Sequence, residues 1–137
     1  MLHIWGRISS INVRKVVWAV QYLNLTHQRT DAGGQFGLVQ TPDYLAQNPN
    51  ALVPLIDDDG YTLWESNVIL RYLCARYASD TLYPQELKAR FDAERWMDWQ
   101  QTTLNPAGRD AFVQLIRKPG GQVDAAKVDA SVAATTP

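Results

Sequence analysis

Two apolar runs joined by an acidic turn constrain the middle of this chain most tightly. Val53-Pro54-Leu55-Ile56 is followed by Asp57-Asp58-Asp59-Gly60 and then by Tyr61-Thr62-Leu63-Trp64. An Asp-Gly turn between two such runs predicts a β-hairpin. The residues before it supply a partner layer. Leu2-His3-Ile4-Trp5 reads as a short strand ended by Gly6. Val13, Val16, Val17 and Val20 recur at the spacing of a buried helix face, with Arg14, Lys15 and Gln21 opposite and Asn24 as a stop. Thr26 to Asp31 is a second candidate strand whose polarity suits a sheet edge. The glycines of Ala32-Gly33-Gly34-Gln35-Phe36-Gly37 require a loop. Thr41-Pro42-Asp43 is a helix start, and Asn48-Pro49-Asn50 breaks that helix early. After the hairpin, Glu65-Ser66-Asn67 opens another helix with Val68, Ile69, Tyr72 and Leu73 on its inner face. Strand, helix, strand, short helix, hairpin, helix is an α/β order that predicts a mixed four-stranded sheet flanked by helices.

Beyond a linker over 79–85 the chain reads as helical, which divides it into domains 1–79 and 80–137. Glu86 to Leu104 is rich in helix formers, Asn105-Pro106 should kink or interrupt that helix, and Pro119-Gly120-Gly121 should end the segment after it. Gln122 to Ala134 is a last, alanine-rich helix. With 46% hydrophobic residues, the 137-residue chain has enough apolar surface to fold. Its 13 basic and 14 acidic side chains argue against a partner held by electrostatics, such as nucleic acid or an anionic membrane. One cysteine supplies neither an internal disulfide nor a thiolate-rich metal site. No secretion signal opens the sequence and no apolar stretch approaches the ~20 residues of a bilayer span, so a cytoplasmic protein is expected.

Three ordered motifs carry a family resemblance. Ser9-Ser10-Ile11-Asn12-Val13-Arg14, Asn48-Pro49-Asn50-Ala51-Leu52-Val53-Pro54 and Trp64-Glu65-Ser66-Asn67-Val68-Ile69 precede a helical region carrying Trp96-Met97-Asp98-Trp99-Gln100. The chain resembles the glutathione S-transferases, and among them the serine-using theta-like and phi-like classes with their bacterial relatives. The resemblance implies a thioredoxin-like N-terminal domain that binds glutathione, followed by an all-helical domain that builds most of the electrophile pocket. Since the helical part stops at Thr136-Pro137 in mid-pattern, the expected C-terminal domain is a partial one.

The residues themselves make chemical sense of the motifs. Pro54 sits where a strand interior should reject proline, and a cis Val53-Pro54 bond resolves that conflict by turning the chain at a strand start. The turn exposes the Val53 backbone, which can pair with an extended peptide as an added strand does. The family holds the cysteinyl part of glutathione there. Glu65 and Ser66 open a helix, whose N-terminus suits a carboxylate. Ser66 can donate to the same carboxylate, and Glu65 can accept from an ammonium. The bland reading makes Ser66 an N-cap and Glu65 a solvated acid. Ser10 lies at the start of the first helix, where a hydroxyl donor and the helix end stabilise a thiolate. It acts on glutathione, which is itself the nucleophile. Asn12 can hold that hydroxyl or donate to the sulfur. The bland reading is again a cap, and Ser9 competes with Ser10 for the role.

Gln40 stands where phi-like relatives carry a lysine, and can bond the glycyl carboxylate without charge. Leu52 stands where some relatives place a glutamine or lysine, so glutathione is expected to bind more weakly than is usual in the family. Cys74 reads as a buried small hydrophobe, His3 and His27 are too scattered for a metal site, and the five tryptophans read as core and interface packing. The resemblance makes Ile8 and Phe112 candidates for the electrophile's apolar pocket. The resemblance implies glutathione as co-substrate with no metal, an apolar electrophile and a homodimer. Two other functions fit the same residues, a non-catalytic glutathione-binding or interaction module and a glutathione-dependent disulfide reductase.

Overall fold

The computed structural model describes residues 1–78, 80–117 and 120–136, which form two compact units, Met1–Gln85 and a second beginning at Glu86. In the first unit, β1 (Leu2–Trp5), α1 (Ile11–Tyr22) and β2 (His27–Thr30) are followed by a 3-10 turn at Gly34–Phe36. Then come α2 (Pro42–Gln47), β3 (Leu55–Asp58), β4 (Tyr61–Trp64) and α3 (Ser66–Tyr77). The strands form one sheet in the order β2-β1-β3-β4, with β1 and β2 parallel and the other pairs antiparallel. This is the mixed four-stranded, thioredoxin-like arrangement expected from the element order. Polar β2 takes the edge, as its sequence suggested.

Leu2 and Ile4 of β1, Ile56 of β3, Val16 and Val20 of α1, and Ile69 and Leu73 of α3 form the core. Each fully buried Val, Leu or Ile contributes roughly 1.5–3 kcal/mol, so this cluster does more than four-residue strands to hold the sheet together. Two acidic residues depart from expectation. Asp57 and Asp58 belong to β3, and the turn is Asp59-Gly60 alone, both residues at positive φ (52° and 92°) as a two-residue hairpin requires. Asp58 tolerates burial because the Tyr72 hydroxyl donates to it at 2.7 Å, Tyr77 at 2.9 Å and Arg76 Nε at 3.2 Å.

The second unit is helical. A helical path runs from α4 (Leu87–Trp99) through α5 (Asn105–Phe112), with π-type turns at Gln100–Leu104 and Val113–Arg117. Pro106 therefore does not interrupt the helix. Its missing N–H and crowding ring fall against Thr102, and the wider turn that contains Thr102 accommodates them. The last helix, α6 (Ala125–Thr135), starts three residues later than expected because Asp124 caps it through Lys127 N–H. It docks on α5 through a hydrogen bond from Ser131 Oγ to the Ala107 carbonyl. Of the break expected at Pro119-Gly120-Gly121, Pro119 lies outside the described residues, as does Ser79 at the start of the linker. Three of the tryptophans are not core. Trp18, Trp96 and Trp99 are exposed, Trp18 stacking on Tyr22 and Trp96 edge-on to Trp99. No helix among the described residues is long and apolar enough to cross a membrane.

Candidate functional site

The sheet register brings the motifs together. Thr30, Trp5, Leu55 and Trp64 lie side by side across the four strands. The chain beyond each of these residues emerges at the same end of the sheet: Gly6 to Ser10, Ala32-Gly33, Val53-Pro54 and Glu65-Ser66. Short contacts tie the segments to one another. Gly6 N–H donates to the Thr30 carbonyl at 2.9 Å, and Arg7 N–H to the Ala32 carbonyl at 3.0 Å. Gly33 is closely packed between neighbours, since a Cβ there would meet Arg7 Nη1 at 2.5 Å and Val53 Cγ1 at 3.3 Å. Lys15 Nζ donates to Asn67 Oδ1 at 2.7 Å, joining α1 to the first turn of α3.

Ser10 is the N-cap of α1. Its Oγ faces Val13 N–H at 3.5 Å, a long contact, and the residue is buried where Ser9 is exposed. Capping engages a lone pair of the hydroxyl and leaves its proton available to donate. The capping and thiolate-activating readings of Ser10 are thus compatible rather than rival. Asn12, half-buried, follows in the same first turn.

Val53-Pro54 is cis, as its position in the sequence suggested. The Val53 N–H and C=O take no hydrogen-bond partner among the described residues, and β3 begins only at Leu55. The preceding carbonyl is held twice. Tyr44 Oη donates to the Leu52 oxygen at 2.6 Å and Asn48 Nδ2 at 2.9 Å. Both side chains are buried, and Asn48 Oδ1 in turn accepts from Asn50 N–H at 3.1 Å. The sequence offered Asn48 as a helix breaker and as part of a family motif, with no role for its side chain, and did not single out Tyr44, because neither signals a partner four to eight residues away.

At α3 the structure reverses the bland reading of Ser66. The cap position belongs to Glu65, held at φ 76°, and Ser66 is the first helical residue, buried. A non-glycine residue at such a φ is uncommon, and it presents the helix end without lending a side-chain bond to the first turn. By contrast α1, α2, α4 and α6 all receive a side-chain cap. Lys15 beside this end has its ammonium pushed down to about 8, chiefly by burial, with Glu65 opposing that shift and Arg71 reinforcing it.

The remaining residues singled out from the sequence have other settings. Gln40 is exposed, one residue before the Thr41 cap of α2. Ile8 is exposed in the loop after β1, and Phe112 belongs to the second unit, where it lies under the Arg117 guanidinium. Burial pushes the Cys74 thiol up, which suits an unreactive packing residue.

The thioredoxin-like sheet thus carries at one end an uncapped helix start, an unpaired pre-proline backbone and a first helix capped by a hydroxyl. Residues 1–75 match the family model described as glutathione S-transferase, N-terminal domain. The chain is 44% identical to glutathione S-transferase GstB of Escherichia coli K12, over 96% of this chain and 64% of that protein. It is 30% identical to glutathione S-transferase 3 of Zea mays, over 93% of this chain and 59% of that protein. It superposes with a TM-score of 0.92, at 41% identity, on the theta class glutathione S-transferase of Xanthomonas axonopodis pv. citri with glutathione bound, covering 98% of this chain and 64% of that one. The chain belongs to the glutathione S-transferase family and spans somewhat under two thirds of the length of these relatives.

Proposed function

We propose that this chain binds glutathione along the Val53 edge and favours its thiolate for attack on an electrophilic carbon. The observation that carries the reading is the convergence at one sheet end of the Ser10 hydroxyl, the unpaired Val53 backbone and the uncapped α3 N-terminus. Glutathione offers matching groups in sequence. Its γ-glutamyl carboxylate suits the first-turn N–H groups and Ser66 hydroxyl of α3, and its ammonium suits Glu65. Its cysteinyl backbone suits Val53 as an added strand. Its thiol then faces the start of α1, where the Ser10 O–H donates to sulfur as the proton departs to solvent. The thiolate forms the new carbon–sulfur bond while the leaving group departs with its electron pair. Asn12 and Gln40 are assigned supporting contacts, to the Ser10 hydroxyl or the sulfur and to the glycyl carboxylate respectively. An apolar electrophile, a homodimer and a cytoplasmic setting complete the proposal, and domain limits at 1–79 and 80–137 go with it.

Titration calorimetry with millimolar glutathione tests the binding step, and a halonitrobenzene conjugation assay tests the chemistry. Heat of binding together with conjugation supports the reading. Folded protein that gives no heat overturns it, and binding without conjugation reduces it to a glutathione-binding module.

A further inference from the structure

We infer that Tyr44 and Asn48 are positioning residues for the ligand, aiming the Val53 N–H by clamping the carbonyl that shares its peptide plane. The inference rests on the proposed use of Val53 by glutathione and adds two residues to that site. The Leu52–Val53 peptide is trans, since Val53-Pro54 is the cis bond found among the described residues. In a planar trans peptide the C=O and the following N–H point in opposite directions, so fixing one fixes the other. The Leu52 oxygen is fixed by two buried donors, Tyr44 Oη at 2.6 Å and Asn48 Nδ2 at 2.9 Å, which fill both of its lone-pair directions. The Val53 N–H is thereby turned outward on the other side of the plane, unpaired, at the strand-edge position.

The clamp is itself anchored at each end. Asn48 is 1% exposed, its N–H donates to the Tyr44 carbonyl at 2.8 Å, and its carbonyl accepts from Ala51 N–H at 3.2 Å. Tyr44 sits in α2, whose Thr41 cap accepts from Tyr44 N–H at 3.4 Å. Helix α2 and its C-terminal cap residue Asn48 thus act on the ligand through two side chains and one carbonyl. Burial pushes the Tyr44 phenol up to about 12, against an opposing bond with Asn48, so the hydroxyl stays a donor throughout the range in which a thiol titrates.

Tyr44→Phe removes one donor with no change of shape, and Asn48→Asp keeps the Oδ1 acceptor for Asn50 while placing an oxygen against the Leu52 carbonyl. Calorimetry with glutathione on wild type and both variants, paired with amide NMR, tests the inference. Loss of one net hydrogen bond's worth of alignment is expected to weaken glutathione binding about three- to tenfold in Tyr44→Phe, and further in Asn48→Asp. At saturating glutathione the Val53 amide should shift less than in wild type, while the Ser66 amide keeps its wild-type response. That split separates positioning from general loosening, which would alter both amides together. Unchanged affinity in Tyr44→Phe, with wild type binding normally, overturns the inference and leaves the proposed function standing. Weaker binding with a wild-type Val53 response, or with both amides altered together, also overturns it. No binding by folded wild type overturns the proposed function first.

Discussion

Replacing Asp58 with alanine should cost this fold several times what an exposed acid would. The carboxylate ends β3, its side chain is 2% exposed, and it accepts from Tyr72, Tyr77 and Arg76. The donors differ in what they lose. Tyr77 and Arg76 are exposed and can turn to water, so their share is small. Tyr72 is half-buried, its ring 5.2 Å from that of Tyr61, so its hydroxyl turns to water less readily than theirs. A hydrogen bond to a charged group is worth ~1.5–3 kcal/mol, and stranding the donor adds to that, so Asp58→Ala should destabilise by about 2–4 kcal/mol. At roughly 4 °C or more per kcal/mol for a domain of this size, the melting temperature should fall by about 10 °C or more. Tyr72→Phe should reproduce most of the loss, and the double variant should be little worse than Asp58→Ala alone. The Tyr72 phenol offers an independent readout. It is pushed up to about 12, first by burial and then by the bond and charge of Asp58, and Asp58→Ala should let it ionise at lower pH. A loss below ~0.5 kcal/mol in urea unfolding, or additive single variants, would refute the argument by showing that Tyr72 and Asp58 do not act together.

Other outcomes follow from the same geometry. Gly33→Ala places a Cβ 2.5 Å from Arg7 Nη1 in a backbone conformation (φ 83°, ψ 157°) that is nearly glycine-only. It should destabilise by ~2 kcal/mol or more in urea unfolding, and a smaller loss would show that the loop relaxes freely. Tyr44 and Tyr72 both have folded-state values raised to about 12 from 10, so the stability they contribute should be full below pH 10 and decline as pH rises to 12. Lys15 works in the opposite direction. Its folded value near 8 lies below the unfolded 10.5, so the fold gains stability as pH rises through that interval, and Lys15→Met should flatten the gain in denaturant midpoints measured against pH. Ser66→Ala removes a hydroxyl but not the first-turn N–H groups, and should weaken glutathione binding by about tenfold or less in calorimetry.

What could be read from the sequence was local. The two-residue hairpin turn, the Pro42 helix start and the polar edge strand each depend on residues within one turn of themselves, and each lies where its chemistry required. The cis Val53-Pro54 bond was legible because proline conflicts with a strand interior at that place. The misreadings were of residues whose state is set at a distance. Asp58 looked like turn material, since nothing near it announces the hydroxyls of Tyr72 and Tyr77, 14 and 19 positions on. Trp18, Trp96 and Trp99 read as core or interface residues, and they are not core, because exposure depends on which face a helix turns inward. The bland alternative for Ser66, a cap, rested on serine capping well, but Glu65 takes that position at a positive φ no propensity would favour. The Tyr44 and Asn48 clamp escaped notice because its acceptor is a backbone carbonyl, which carries no side-chain signature.

The most direct test of thiolate activation at the α1 start is ultraviolet titration of bound glutathione in wild type and Ser10→Ala. A free thiol titrates near ~8.5, and a donor worth ~1.5–3 kcal/mol to the thiolate should hold the bound thiol well below that in wild type. Ser10→Ala should return the titration upward by about one to two pH units and slow conjugation near neutrality, with the deficit closing as pH rises. Superimposable titration curves in a variant that still binds glutathione would contradict the account and leave Ser10 with its cap alone.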